Sequence, residues 1–241
     1  MTYVEGFVSA VPTANKEAYR RHAEEALSII GEAGATRMVE AWGDDVPAGK
    51  VTDFQRAVQA KEDETIVFSW FEYPDRQTRD AANEKMMQDP RMEGMSASMP
   101  FDGKRMIFGG FDSFVDERAA GRPAYVDGYI LPVPEANKEA YRDLAKAMAG
   151  KFKGLGAVRY VEAWGDDVPE GKVTDYRRAV LAEDGERVVY SYVEWPDKET
   201  RDRAWQSMMN DPDMQAMGEM PFDGKRMFWG GFAMLLDTAA E

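Results

Sequence analysis

The chain has 241 residues, 44% of them hydrophobic and 28 of them aromatic, enough apolar bulk for a packed core and too much for a disordered chain. Its formal net charge of −14 opposes the phosphate neutralisation that non-specific nucleic-acid binding requires, and would repel an anionic membrane surface. With no cysteine, disulfides, thiolate catalysis and thiolate metal sites are excluded.

Tyr3–Val11 alternates and is rich in aromatic and branched side chains, which predicts a strand ended by Pro12. Asn15 is positioned as the N-cap of a helix running to about Glu32, with Tyr19, Ala23, Ala26, Leu27 and Ile30 on one face and Gly34 as its stop. Arg37–Gly43 reads as a second strand, and Asp44 to Gly49 as a loop. Thr52–Ala60 reads as a third strand. Thr65–Tyr73, bulky on both faces, reads as a fourth and buried one. Pro74-Asp75 opens a second helix to about Gln88, closed by Asp89-Pro90. Asp102-Gly103 turns into a last strand, Lys104–Val115, whose Gly109-Gly110 pair predicts a bulge or a close backbone approach.

The same elements then recur. Between Tyr3–Pro90 and Tyr125–Pro212, 48 of 88 positions match at an offset of 122, and MPFDGKRM stands at both Met99–Met106 and Met220–Met227. The expected units are residues 1–116 and 125–241, joined by a short polar linker at 117–124. The fold class is α+β: two ferredoxin-like β-α-β-β-β-α-β repeats whose sheets pack face to face as an intramolecular dimeric α/β barrel. One repeat alone would leave a sheet face bare, and the second copy covers it. A pseudo-dimer closed within one chain is expected to be a monomer.

The blocks YVEGFV, VEAWGDDVPxGKVTDF, KMMxDPRM and MPFDGKRMIFGGF resemble the small bacterial YbaA-like proteins, a family without an assigned activity, and the likeness spans each whole repeat. The resemblance implies a dimeric α/β barrel normally assembled from two short chains. It brings no activity and no site residues.

Strand parity offers one constellation of candidate site residues. Tyr3, Glu5 and Phe7 share a face, as do Met38, Glu40 and Trp42; Phe54, Arg56 and Val58; and Phe68, Trp70 and Glu72. The second copy supplies Asp127, Glu162, Trp164, Arg178 and Glu194. A carboxylate among aromatics must pair with the arginine or have its pKa raised by desolvation. The functional reading is an aromatic-walled, polar-headed pocket in each repeat. The bland reading is a structural Glu–Arg pair or charges at strand ends. Asp44-Asp45 and Asp166-Asp167 read as turn-forming pairs rather than metal ligands, and no metal or cofactor is expected. His22, the only histidine, has Leu144 in its place in the other copy and reads as a helix-flank residue, which rules out a His-based centre common to both repeats. The methionines around Met86-Met87 and Met208-Met209 read as core filling first and pocket lining second. Differences at Trp70/Tyr192, Tyr73/Trp195, Asn83/Trp205 and Ile107/Phe228 allow two pockets of unlike shape.

Three functions fit: a non-catalytic or small-ligand-binding barrel, a small cofactor-independent enzyme of the monooxygenase or isomerase kind, or an acidic interaction module. The expected partner is a small apolar or polar-headed ligand, with neither nucleic acid nor membrane. The opening MTYVEGFVSAVP has no basic-plus-apolar leader pattern, and the expected location is cytoplasmic.

Overall fold

The computed structural model describes residues 2–215 and 218–240. The first repeat runs β1 (Tyr3–Pro12), α1 (Lys16–Ala33), β2 (Arg37–Asp45), α2 (Phe54–Ala57), β3 (Glu64–Tyr73), α3 (Arg76–Gln88), α4 (Pro90–Ala97) and β4 (Ile107–Arg118). The second repeats it as β5 (Tyr125–Pro134), α5 (Lys138–Gly154), β6 (Arg159–Asp167), α6 (Tyr176–Ala179), β7 (Glu186–Trp195), α7 (Lys198–Met209), α8 (Pro212–Gln215) and β8 (Phe228–Asp237). Among the described residues no helix is long and apolar enough to cross a membrane.

The eight strands close one antiparallel barrel in the order β1-β3-β2-β8-β5-β7-β6-β4. Each repeat contributes four neighbouring strands. The seams are β2 with β8 and β4 with β6, so the last strand of each repeat hydrogen-bonds to the other repeat. The helices lie outside, and α1 touches β8 as α5 touches β4. Neither repeat completes its own sheet edges.

Alternation decides what enters the barrel. Val39 and Ala41 of β2 and Phe68 and Trp70 of β3 point inward, with Val161, Ala163, Tyr190 and Tyr192 from the second repeat. Phe68 stacks on Tyr190 at 4.6 Å between ring centroids, and Trp70 on Tyr192 at 4.3 Å. Gly6 and Gly128 make room for this: a Cβ on Gly6 would lie 2.6 Å from the Tyr190 ring, and one on Gly128 2.7 Å from Phe68. The inward side chains of the two repeats therefore pack directly on each other inside the barrel.

Three expected elements differ. Thr52–Ala60 is no strand. Asp53 accepts the Arg56 backbone N–H at 2.7 Å and caps the short helix α2, and Asp175 does the same for α6 at 2.8 Å. A side chain offering a local acceptor draws the backbone out of any ladder. These helices drop Phe54 and Tyr176 into one end of the barrel, where Phe54 meets Phe228 at 4.8 Å and Tyr176 meets Phe111 at 5.4 Å. Asn15 does not cap α1, because its amide donates instead to the Pro100 carbonyl at 2.8 Å. Pro90 ends α3 but also begins α4, where a proline at the first position loses no hydrogen bond. The Gly110 and Gly231 expectation is met by close approach: a Cβ would lie 2.3 Å from the Tyr3 hydroxyl and 2.4 Å from that of Tyr125.

Candidate functional site

The ten candidate residues form five pairs in five different places. Glu72 and Glu194 point into the barrel at the end opposite α2 and α6. Arg37 and Arg159 meet them there: Arg37 reaches Glu194 at 2.7 Å and Glu72 at 3.3 Å, and Arg159 reaches Glu72 at 2.6 Å. Asp237 and Asp116, on β8 and β4, hold the two arginines from the seams at 2.8 Å each. Burial pushes the Glu72 carboxyl up, but Arg159 and Arg37 outweigh it and hold it below the usual range. This is an ion-pair network across the two repeats, in which burial still pushes the Glu194 carboxyl up against the pull of Arg37 and Arg159. The arginines are Arg37 and Arg159; Arg56 and Arg178 are exposed on α2 and α6, bound to the Gly49 and Gly171 carbonyls at 2.9 and 2.8 Å.

Glu5 and Asp127 face outward, under α3 and α7. Asp127 is fully buried and accepts from Arg201 at 2.8 Å, Trp195 at 2.9 Å and Trp205 at 3.0 Å. Glu5 accepts from Asn83 at 3.0 Å, with Arg79 at 3.5 Å. Those arginines also explain the Asp-Asp pairs. Arg201 binds Asp45 and Arg79 binds Asp167 at 2.8 and 2.6 Å, while the Tyr125 and Tyr3 hydroxyls donate to Asp44 and Asp166 at 3.0 and 3.1 Å. Each pair thus clamps one repeat to the other. Trp42 and Trp164 pack outside the sheets, against Tyr19 at 6.3 Å and Phe114 at 6.1 Å, with Lys16 and Lys138 over their rings.

Glu40 and Glu162 are the pair left without a cation. Both are buried on the outer sheet face, beneath α1 and α5 respectively. Glu40 accepts from the Tyr19 hydroxyl at 2.6 Å. Glu162 accepts from Tyr141 and Ser191 at 2.7 Å each, and closely from Tyr160. Burial pushes each carboxyl up to about 7, against the pull of these hydroxyl donors.

Glu162 stands in the floor of a cavity of about 160 Å³ between the β5-β7-β6 sheet and helices α5, α7 and α8. Five methionines line it: Met148, Met208, Met214, Met220 and Met227. So do Leu144, Phe152 and Trp205, and the Tyr129 hydroxyl there is buried without a hydrogen-bond partner. The first repeat does not reproduce this lining. At the equivalent positions it carries Phe7 for Tyr129, Met38 for Tyr160, His22 for Leu144 and Asn83 for Trp205. Phe7 packs on Phe71 at 4.8 Å, and the second repeat has Val193 where Phe71 stands. His22 is half-buried on α1, and burial lowers its pKa.

Parity alone misses the tyrosines. Tyr160 shares the face of Glu162 two residues away, and comparing the repeats shows hydroxyls gained at Tyr129 and Tyr160. Tyr141 and Ser191 reach Glu162 only through the packing of α5 and the pairing of β7.

An α+β barrel closed by two repeats, with one outward carboxylic acid per repeat held by hydroxyls alone, is the class of protein these features define. The chain belongs to the family described as "Protein of unknown function (DUF1428)", which matches residues 2–103 and again 124–224. The "Uncharacterized protein YbaA" of Escherichia coli K12 is 61% identical over 117 residues, 48% of this chain and 100% of that protein, and the YbaA of Shigella flexneri matches equally. Among solved structures, a protein titled "putative monooxygenase" from Lactobacillus acidophilus aligns with TM-score 0.57 at 10% identity, over 98% of this chain and 95% of that one. An "anthrone oxidase-like protein" aligns with TM-score 0.51 at 13% identity, over 100% and 94%. At these identities the likeness is one of fold.

Proposed function

We propose that the second repeat binds a small, largely apolar organic molecule in the Glu162 cavity, while the first repeat serves as the scaffold that completes the barrel. The β-α-β-β-α-β order and the strand order β4-β1-β3-β2 support reading each half as a ferredoxin-like unit, with residues 1–116 and 125–241 as the two units and 117–124 between them. The observation that carries the functional reading is an apolar, methionine-lined cavity holding one acid that no cation neutralises. Ligand sites are typically apolar clefts with a few placed polar groups, and methionine adapts its shape to varied occupants. The volume suits a single six-membered ring, since a cavity of about 150 Å³ in an unrelated protein holds benzene.

Native mass spectrometry of the purified chain tests this together with ligand-observed NMR using toluene and phenol. Saturation transfer to either probe that is lost in Leu144→Trp, which fills the cavity, supports the site. Transfer unchanged by that substitution overturns it.

A further inference from the structure

The polar groups of the Glu162 cavity have an order that narrows the choice among small apolar occupants. Tyr129 pairs with Ser191 in the β5–β7 register, and Ser191 pairs with Glu162 in the β7–β6 register. The three side chains therefore stand in one row across adjacent strands, and all three line the cavity. Strands lie about 4.8 Å apart, so Tyr129 and Glu162 flank a space roughly one ring wide.

The two ends of the row offer opposite chemistry. Glu162 Oε1 receives Tyr160 and Ser191, and Oε2 receives Tyr141. A carboxylate has about four acceptor positions, so one stays open, on Oε2. At the other end the Tyr129 hydroxyl is a buried donor lacking an acceptor, an arrangement native structures seldom leave unsatisfied. Among the described residues lining the cavity there is no lysine, arginine or histidine. An anionic ligand would meet Glu162 with nothing to offset its charge. An ammonium ligand would satisfy Glu162 but offers no acceptor to the Tyr129 O–H. A neutral molecule with an acceptor oxygen and a weakly acidic C–H beside it satisfies both ends.

Resting on the small-molecule reading of this cavity, we propose that it binds small neutral cyclic ketones and transfers the proton alpha to their carbonyl, with Glu162 accepting the proton and Tyr129 donating a hydrogen bond to the carbonyl oxygen. With 3-cyclohexenone, Glu162 takes a proton from the carbon between the carbonyl and the double bond. The C–H electron pair enters a dienolate whose oxygen accepts from Tyr129. The Glu162 acid then returns the proton to the far alkene carbon, and the conjugated ketone leaves. Atoms and electrons balance with no oxidant or added reagent. A hydroxyl donor opposite a carboxylate base in an apolar site is an effective arrangement for such enolisations.

The test follows the ultraviolet absorbance of 2-cyclohexenone formed from 3-cyclohexenone by the full chain, with binding of the ketone and of cyclohexene read by ligand-observed NMR. The expected result is isomerisation above buffer that falls at least about 100-fold in Glu162→Gln, the usual contribution of a positioned base, with ketone binding retained. Tyr129→Phe installs the residue that the first repeat already carries at Phe7. It should weaken ketone binding about 2- to 10-fold, the effect of one net hydrogen bond, and leave cyclohexene binding unchanged. Ketone binding with product forming no faster than in Glu162→Gln overturns the proton-transfer proposal and leaves the binding site standing. Tyr129→Phe weakening both ligands alike overturns the assigned role of Tyr129. Binding of neither ketone nor cyclohexene overturns both readings.

Discussion

Glu40 and Glu162 are acids whose charge is met by hydroxyls and not by a cation, and this gives them a defined effect on stability. A glutamate ordinarily titrates near 4.5, and in the folded chain these two titrate near 7. Between those values the folded state binds more protons than the unfolded one, so stability falls as pH rises. The stabilisation is complete below about 4.5 and lost once the pH has passed about 7. For each site the shift corresponds to about 3 kcal/mol. Burial raises Glu5 and Asp127 in the same direction. Urea unfolding at pH 5 and pH 8 checks this: the wild-type chain should lose stability at the higher pH, while Glu162→Gln and Glu40→Gln should each remove most of one site's share of that loss. Variants that lose as much as wild type would show that the two carboxyls titrate normally. The pair also shows what parity could and could not reveal. Alternation from Met38 to Trp42 places Glu40 on one face and Arg37 on the other, so the arginine enters the barrel and meets Glu72 while Glu40 stays outside with Tyr19. The missing partner of Glu40 is thus legible in one strand. The Tyr141 hydroxyl over Glu162 is not, because it depends on where α5 lies.

At the scale of elements, the blocks that changed least between the copies are those that hold one repeat to the other. The run VEAWGDDVP contains Asp44 and Asp45, which reach Tyr125, Lys198 and Arg201 of the second repeat, and its twin contains Asp166 and Asp167, which reach Tyr3, Arg76 and Arg79 of the first. Near-identity of the runs is visible in the sequence, but the partners lie more than 80 residues away, so each run reads as a turn. The strand expected over Thr52–Ala60 fails for a local reason: Phe54, Arg56 and Val58 alternate as a strand would, while the Asp53 cap decides for a helix. Helix α7 carries the sharpest consequence of the clamp. Arg201 is the only cation bonded to the fully buried Asp127 among the described residues, and it also holds Asp45. Removing one member of a buried pair leaves an uncompensated charge. Arg201→Ala should therefore cost about 3–5 kcal/mol in urea unfolding at pH 8. Arg203→Ala, two residues along the same helix, removes an exposed pair with Glu199 and should stay within about 0.5 kcal/mol. Equal losses would mean that α7 docks by its apolar face alone.

The whole molecule is a closed ring of strands in which each repeat ends on its neighbour. In repeat terms β8 is the counterpart of β4 and β6 of β2, so the seams β2–β8 and β4–β6 are the same contact made twice. A single repeat contains both halves of that contact but cannot satisfy them internally, since β2 and β4 lie at opposite edges of its four strands. Unpaired edges template association, and here the association is already specified. Residues 1–123 expressed alone should accordingly form a two-fold dimer, matching the single-unit length of the YbaA relatives. The ion-pair end would be rebuilt from Arg37, Glu72 and their copies, with Asp116 in both seams. The clamps would be rebuilt from Asp44, Asp45, Tyr3 and Arg79. The packing between the halves changes in the barrel interior, as Phe68 and Trp70 would meet themselves in place of Tyr190 and Tyr192. Two facing indoles occupy more space than the present Trp70–Tyr192 stack, and overpacking of that kind costs about 1–3 kcal/mol. The half-chain dimer should therefore melt below the full chain, and Trp70→Tyr should recover part of the difference. The full chain has already satisfied both seams and should remain a monomer. Light scattering coupled to size-exclusion chromatography reads both masses directly. A half-chain that stays monomeric and folded would refute the shared-seam architecture, and a full-length dimer would show that a further surface drives assembly.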